Sequence, residues 1–191
     1  MDTRTAILDE AQHLIQTRGL NGMSYDHIAA AVGIRKPSIH HHFRTKKDLT
    51  LAVIERYAEN FRASVEKTQA SEVNGAEQLF GYARLFENTL RKGRGKAVCL
   101  CGMLASEIAT LDEESSAAIS EFYRHSSATL AQILRAGIDD NSLTLDGEPE
   151  PVAEMIFSTL QGTLVTCRVS GGAKRFRKMT QQLLKLLCGA D

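Results

Sequence analysis

Residues 24–49 read SYDHIAAAVGIRKPSIHHHFRTKKDL, and the rest of the chain is read outward from them. Ser24 is a helix N-cap residue standing ahead of Ile28, Ala29 and Val32, whose spacing puts them on one helical face. Gly33 supplies the turn that stops this helix. Pro37 suits the first turn of a second helix, where a backbone donor is not needed, and Ile39 and Phe43 lie four apart on the face that packs back. That second helix is short, about two turns. Thr45 and Asp48 form a Thr-x-x-Asp capping pattern that opens a third helix.

The outward face of the second helix is unusual. Arg35, Lys36, Arg44, Lys46 and Lys47 are all basic, no acid falls between Gly33 and Lys47, and His40, His41 and His42 follow one another on the helix. A short, basic, polar helix beside an alanine-rich partner suits a DNA major groove. Lys46 and Lys47 oppose the helix macrodipole, so local helix stability does not explain them, whereas a nearby phosphate would. The same residues also fit a solvated basic face on a small helical domain.

At this point the chain resembles the DNA-binding domain of TetR-type transcriptional regulators. The matching residues are Ser24, Ile28, Ala29, Gly33, Ile34, Lys36, Ser38, Ile39, His41, Phe43, Lys46 or Lys47, and Leu49. His40 and His42 stand where tyrosines are common in that family, and Pro37 where glycine, alanine or serine is frequent. Histidine titrates near neutrality, so operator affinity is expected to be more sensitive to pH here than with tyrosines. The resemblance implies a double-stranded DNA operator as partner. The expected DNA contacts are Ser24, Tyr25, Arg35, Lys36, Ser38, His40, His41, His42 and Lys46. Ser24 and Lys46 are assigned mainly to phosphate, Lys36, Ser38 and His40 nearer the bases.

Composition bounds the rest. The chain has 191 residues, with 23 Lys plus Arg against 23 Asp plus Glu, so any nucleic-acid footprint must be local. No apolar run approaches the roughly 20 residues needed to span a bilayer, and no signal-peptide core is found, so no membrane partner is expected and the location is read as cytoplasmic. Cys99, Cys101, Cys167 and Cys188 are not read as disulfides in that compartment. They lack the paired spacing of zinc modules, and the three consecutive histidines cannot all face one ion from a helix, so neither metal nor cofactor is expected. Arg91–Lys96, RKGRGK, is not a phosphate-binding loop, which would need glycine at Leu90 and serine or threonine at Ala97. No nucleophile–base pair or metal triad points to an enzyme.

In chain order, residues 2–18 carry Ile7, Ala11, Leu14 and Ile15 at helical spacing, stopped by Gly19. Further helices are expected at about residues 45–70, 74–92, 98–111, 112–137, 151–169 and 173–188, and residues 139–150 are the clearest linker. The expectation is an all-α protein. Residues 1–48 form a three-helix helix-turn-helix domain, and residues 49–191 a bundle of about six helices for ligand binding and dimerisation. The helix opened by Thr45 is the natural lever between the two.

The resemblance implies a cavity for an unidentified small-molecule effector among the middle helices, whose binding spreads the two DNA-reading heads. The candidate lining residues are Phe61, Phe86, Cys99, Met103, Glu107, Tyr123, Ser127 and Gln161, although aromatics at helical spacing also fit ordinary core packing. The last two helices have wide apolar faces suited to a four-helix interface between two copies, with Met155, Leu160, Leu164, Phe176, Met179, Leu183 and Leu187 as candidates. The expected function is an effector-responsive, dimeric repressor on a pseudo-palindromic operator. Two alternatives share the scaffold. Cys99 and Cys101, beside the basic loop 91–96, would have a lowered thiolate pKa in an oxidant or electrophile sensor. A helical protein-interaction module would use the C-terminal helices without an effector.

Overall fold

The caps legible in residues 24–49 are formed as side-chain geometry in the computed structural model, which describes residues 2–189. Among those residues the regular elements are α1 Thr3–Arg18, α2 Tyr25–Val32, α3 Lys36–His42, α4 Lys46–Ser71, α5 Gly75–Lys92, α6 Leu100–Ala105, α7 Glu113–Asp139, α8 Pro149–Val169 and α9 Gly172–Cys188. A 3₁₀ turn occupies Ile108–Thr110, and no strand is present among the described residues, so the fold is all-α.

The chain divides into two compact units. The first comprises the chain up to Asn60 together with Cys99–Glu121. Its core holds Ile7, Ala11, Leu14 and Ile15 from α1, Ile28 from α2, Ile39 from α3 and Leu49 and Val53 from α4, all nearly inaccessible to solvent. Ser24 Oγ accepts the His27 N–H at 3.2 Å, capping α2, and Gly33 ends that helix in the left-handed conformation at φ 76°. At the start of α4 the Thr45 N–H donates to Asp48 Oδ2 at 3.0 Å, and the Asp48 N–H donates to Thr45 Oγ1 at 3.1 Å. This reciprocal pair is the capping box read from the sequence.

The helix expected over residues 98–111 is broken. Only Leu100–Ala105 is α-helical, and the chain then tightens into the 3₁₀ turn. Ser106 Oγ donates to the Met103 carbonyl at 2.6 Å and Thr110 Oγ1 to the Glu107 carbonyl at 2.8 Å, side-chain bonds that compete with helix continuation. α7 begins one residue beyond Asp112, whose carboxylate accepts the Ser115 N–H at 2.9 Å as its N-terminal cap.

The second unit comprises Phe61–Val98 and the chain from Phe122 on. α8 packs on α9, and α5 packs on both. The N-terminus of α5 meets the end of α7 closely: a Cβ on Gly75 would lie 2.3 Å from the Gly137 backbone. The free N–H groups of that α5 terminus are taken up by Asp140 Oδ2 at 2.8 Å from Gly75 N and by Ser142 Oγ at 3.0 Å from Ala76 N. Glu87 of α5, buried, receives a bidentate pair from Arg177 of α9, Nε at 3.0 Å and Nη2 at 2.6 Å. This charge-assisted fork joins α5 and α9, and it holds the arginine well in its charged form.

Candidate nucleic-acid interface

α3 buries one residue, Ile39, and exposes all the others except His42. Lys36, Ser38, His40 and His41 are exposed, as is Arg35 at its N-cap position, while His42 is half-buried. The side that packs inward is completed by Phe43, itself buried, with the Arg4 guanidinium 5.1 Å from its ring centre. A helix held by Ile39 and Phe43 therefore leaves a face of basic, hydroxyl and imidazole groups free to meet a ligand.

The expected contacts do not all stand in the same surroundings. Lys36 Nζ pairs with Asp26 of α2 at 2.7 Å, both side chains being more than half exposed, so the pair is weak and exchangeable. The His40 ring meets Tyr25 edge-on at 5.0 Å, and its Nδ1 lies 3.2 Å from the Arg44 carbonyl. The Tyr25 hydroxyl is buried without a hydrogen-bond partner, and burial, followed by the carboxylate of Asp48, raises its pKa. Ser24 Oγ is committed to its helix cap.

The two lysines that helix stability could not explain have partners within the chain. Lys46 Nζ donates to the Leu20 carbonyl at 2.7 Å. Partial burial lowers its pKa, and the charge of Glu107 opposes that shift. Lys47 lies 3.0 Å from Glu114 and 3.6 Å from Asp112, which raise its pKa mainly through the hydrogen bond to Glu114.

The candidate effector residues fall into two groups. In the second unit Phe61 is the hub of an aromatic cluster, with ring centres 5.5 Å from Phe86, 5.7 Å from Tyr82 and 5.3 Å from Phe122. Tyr123 meets Phe157 edge-on at 5.2 Å, and Ser127 lines a separate groove between α7 and α8. Gln161 is half-buried on α8. In the first unit, Cys99 is buried and accepts a hydrogen bond from the Tyr57 hydroxyl at 3.4 Å, and Met103 is half-buried. Burial, reinforced by Cys99, pushes the Cys101 thiol well above its ordinary value, opposite in direction to the lowered pKa expected of a reactive pair. Glu107 is engaged by the turn after α1: its carboxylate accepts the backbone N–H of Leu20 and the side-chain amide of Asn21.

Of the candidate interface residues on the last two helices, Leu160, Leu164 and Phe176 are fully buried in the second unit, and Leu183 and Leu187 are half-buried. Met155 and Met179 are exposed, accompanied by Val165, Val169 and Leu186, which sequence reasoning did not select for this face. Their helical spacing, 155–165–169 and 179–186, was the available signal. Among the described residues no group of three His, Cys, Asp or Glu is placed to hold a metal ion, and no helix is long and apolar enough to cross a membrane.

Residues 7–53 match bacterial regulatory proteins of the tetR family, and residues 75–182 match the C-terminal domain of LmrA/YxaF-like transcriptional regulators. The HTH-type transcriptional repressor NemR of Escherichia coli strain K12 is 28% identical over 170 residues, covering 88% of this chain and 85% of that protein. A crystal structure of a TetR-family transcriptional regulator from Agrobacterium tumefaciens superposes with a TM-score of 0.91 at 32% identity, covering 96% of each chain. The reduced form of E. coli NemR superposes with a TM-score of 0.84 at 26% identity, covering 100% of this chain and 99% of that one. An outward basic helix in the matched N-terminal segment, carried on an all-α chain whose larger part matches a regulator's C-terminal domain, places the chain in the TetR family of helix-turn-helix, DNA-binding transcriptional regulators, a family of regulators and not of enzymes.

Proposed function

We propose that the chain is a repressor that binds a pseudo-palindromic operator as a homodimer and leaves it when a small effector binds the helical domain. The single observation that carries the DNA-reading part is α3, with Ile39 buried beneath exposed Arg35, Lys36, Ser38, His40 and His41. Two such helices on a two-fold axis would enter successive major grooves about 34 Å apart. The likeness to a relative described as a repressor supports that sign of regulation.

The dimer reading draws on the exposed apolar residues of the last two helices: Met155, Val165 and Val169 on α8, Met179 and Leu186 on α9. Val169 is 85% and Leu186 74% exposed, values that favour an association surface over an isolated apolar residue. Gly162 adds an open position on α8 where another helix can approach. Residues 1–48 are assigned to DNA reading and 49–191 to effector binding and dimerisation. The effector is placed against the aromatic cluster around Phe61. Thiol sensing receives less support, because burial disfavours the Cys101 thiolate.

The test is a salt titration of binding to promoter DNA from the protein's own locus. The wild-type protein should bind with an affinity that falls steeply as salt rises. Lys36→Glu should weaken binding without altering assembly. Absence of salt-dependent binding by the wild-type protein would remove the proposal.

A further inference from the structure

In the second unit a pocket of about 130 Å³ opens between α4, α5 and α7. Its inner wall is apolar, made of Phe61, Val65 and Tyr82, with the Phe61 and Tyr82 rings perpendicular at 5.7 Å. Ser126 of α7 lines the same pocket. It is only 2% exposed, and its Oγ has no hydrogen-bond partner.

That hydroxyl is out of keeping with its neighbours on α7. Serine and threonine inside a helix commonly donate to the carbonyl one turn earlier. Ser120 does so to Ser116 at 3.0 Å and Thr129 to His125 at 2.9 Å. Ser126 makes no such bond, and a buried polar atom left unpaired is costly to the fold. A bound molecule that pairs with it would relieve the cost. Arg62 and Glu66, of opposite sign, and the imidazole of His125 also line the pocket, but all three belong to exposed residues, so the buried wall offers an ionised ligand no charge partner. The volume is close to the roughly 150 Å³ of an apolar protein cavity that accepts benzene.

We propose that this pocket binds a small, uncharged aromatic molecule of phenol size bearing one oxygen, with the ring against Phe61 and Tyr82 and the oxygen hydrogen-bonded to Ser126 Oγ. The inference rests on the reading of the helical domain as effector-binding, and it supplies that effector's class: size, neutrality and a single polar anchor. Ser126 was not among the residues selected from the sequence, because its burial and its missing partner are properties of the packed structure.

The test is calorimetric titration of the full-length protein with phenol, benzene and benzoate. Wild type should bind phenol about tenfold more tightly than benzene, the scale of one buried hydrogen bond, and should not bind benzoate. Ser126→Ala should bind benzene undiminished and phenol no better than benzene. It should also melt at a higher temperature than wild type without ligand, since the unpaired hydroxyl is gone. Val65→Phe, which fills the pocket, should abolish binding of both while retaining the helical circular dichroism spectrum. Failure of wild type to bind phenol, or unchanged phenol affinity in Ser126→Ala or in folded Val65→Phe, would overturn the site. Operator occupancy with and without phenol is measured separately. Ser126-dependent phenol binding that leaves operator occupancy unchanged supports the pocket and counts against the effector reading.

Discussion

The carboxylate of Glu107 accepts the backbone N–H of Leu20 at 2.6 Å, a bond between residues 87 apart in the sequence. Its other oxygen accepts the Asn21 side-chain amide at 2.9 Å. The carbonyl of the same residue, Leu20, accepts Lys46 Nζ at 2.7 Å. The turn between α1 and α2 is thus held by an anion from the segment after α6 and a cation from the first turn of α4. This turn leads directly into Ser24 and the helix pair assigned to DNA.

Removing the anion should loosen that turn. Glu107→Ala is expected to lower the stability of the protein by about 1 kcal/mol, because charge-assisted bonds at a half-exposed site are only partly protected from water. Urea denaturation measures the change, and operator affinity should fall in parallel. Glu107→Gln, which keeps an acceptor oxygen, should recover part of both.

Gly19 tests the same contact from the other side. Its φ of 81° and ψ of 170° lie in a region open essentially only to glycine, and an added Cβ would sit 2.9 Å from Glu107 Oε1. Gly19→Ala should cost about 1–3 kcal/mol, read from the denaturation midpoint, through backbone strain together with displacement of the Glu107 carboxylate.

Cys188 should make stability depend on alkaline pH. Burial raises its thiol pKa to about 11. The fold favours the neutral thiol, so this contribution is complete below the unfolded value of about 8.5 and is lost as pH rises through the folded value. Melting temperatures of wild type and Cys188→Ala, compared from pH 8 upward, should show the wild type losing more stability than the variant as pH rises towards 11.

Val165 on α8 and Leu186 on α9 are exposed in the single chain and lie on the proposed dimer face. Val165→Glu combined with Leu186→Glu should leave the melting of the monomer fold within about 1 kcal/mol, as expected of surface positions, while shifting the sedimentation coefficient to that of a monomer. Operator affinity should fall by orders of magnitude because half-sites are then read one at a time.

Much of the first unit was legible because its signals are local. Ser24, Gly33, and the Thr45–Asp48 pair act over three or four residues, and side-chain hydrogen bonds or backbone conformation realise each of them. The break after α6 was less legible. Residues 98–111 have an apolar helical pattern, but the Ser106 and Thr110 hydroxyls turn onto backbone carbonyls, and Glu107 is drawn to a turn far away in the chain.

Side-chain roles divide along the same line. The sequence by itself determined the all-helical class, the order of the helices and the outward basic face of α3, because periodicity and capping are properties of neighbouring residues. Only tertiary structure decided that Leu160 and Leu164 are buried while Val165 and Val169 are exposed. It also decided that Lys46 and Glu107 hold the Leu20 turn, that Cys101 is buried, and that the Ser126 hydroxyl is left unpaired beside a pocket. Burial and hydrogen-bond partnership depend on which distant segments meet, and a helical pattern marks the faces a helix offers without naming what covers each one.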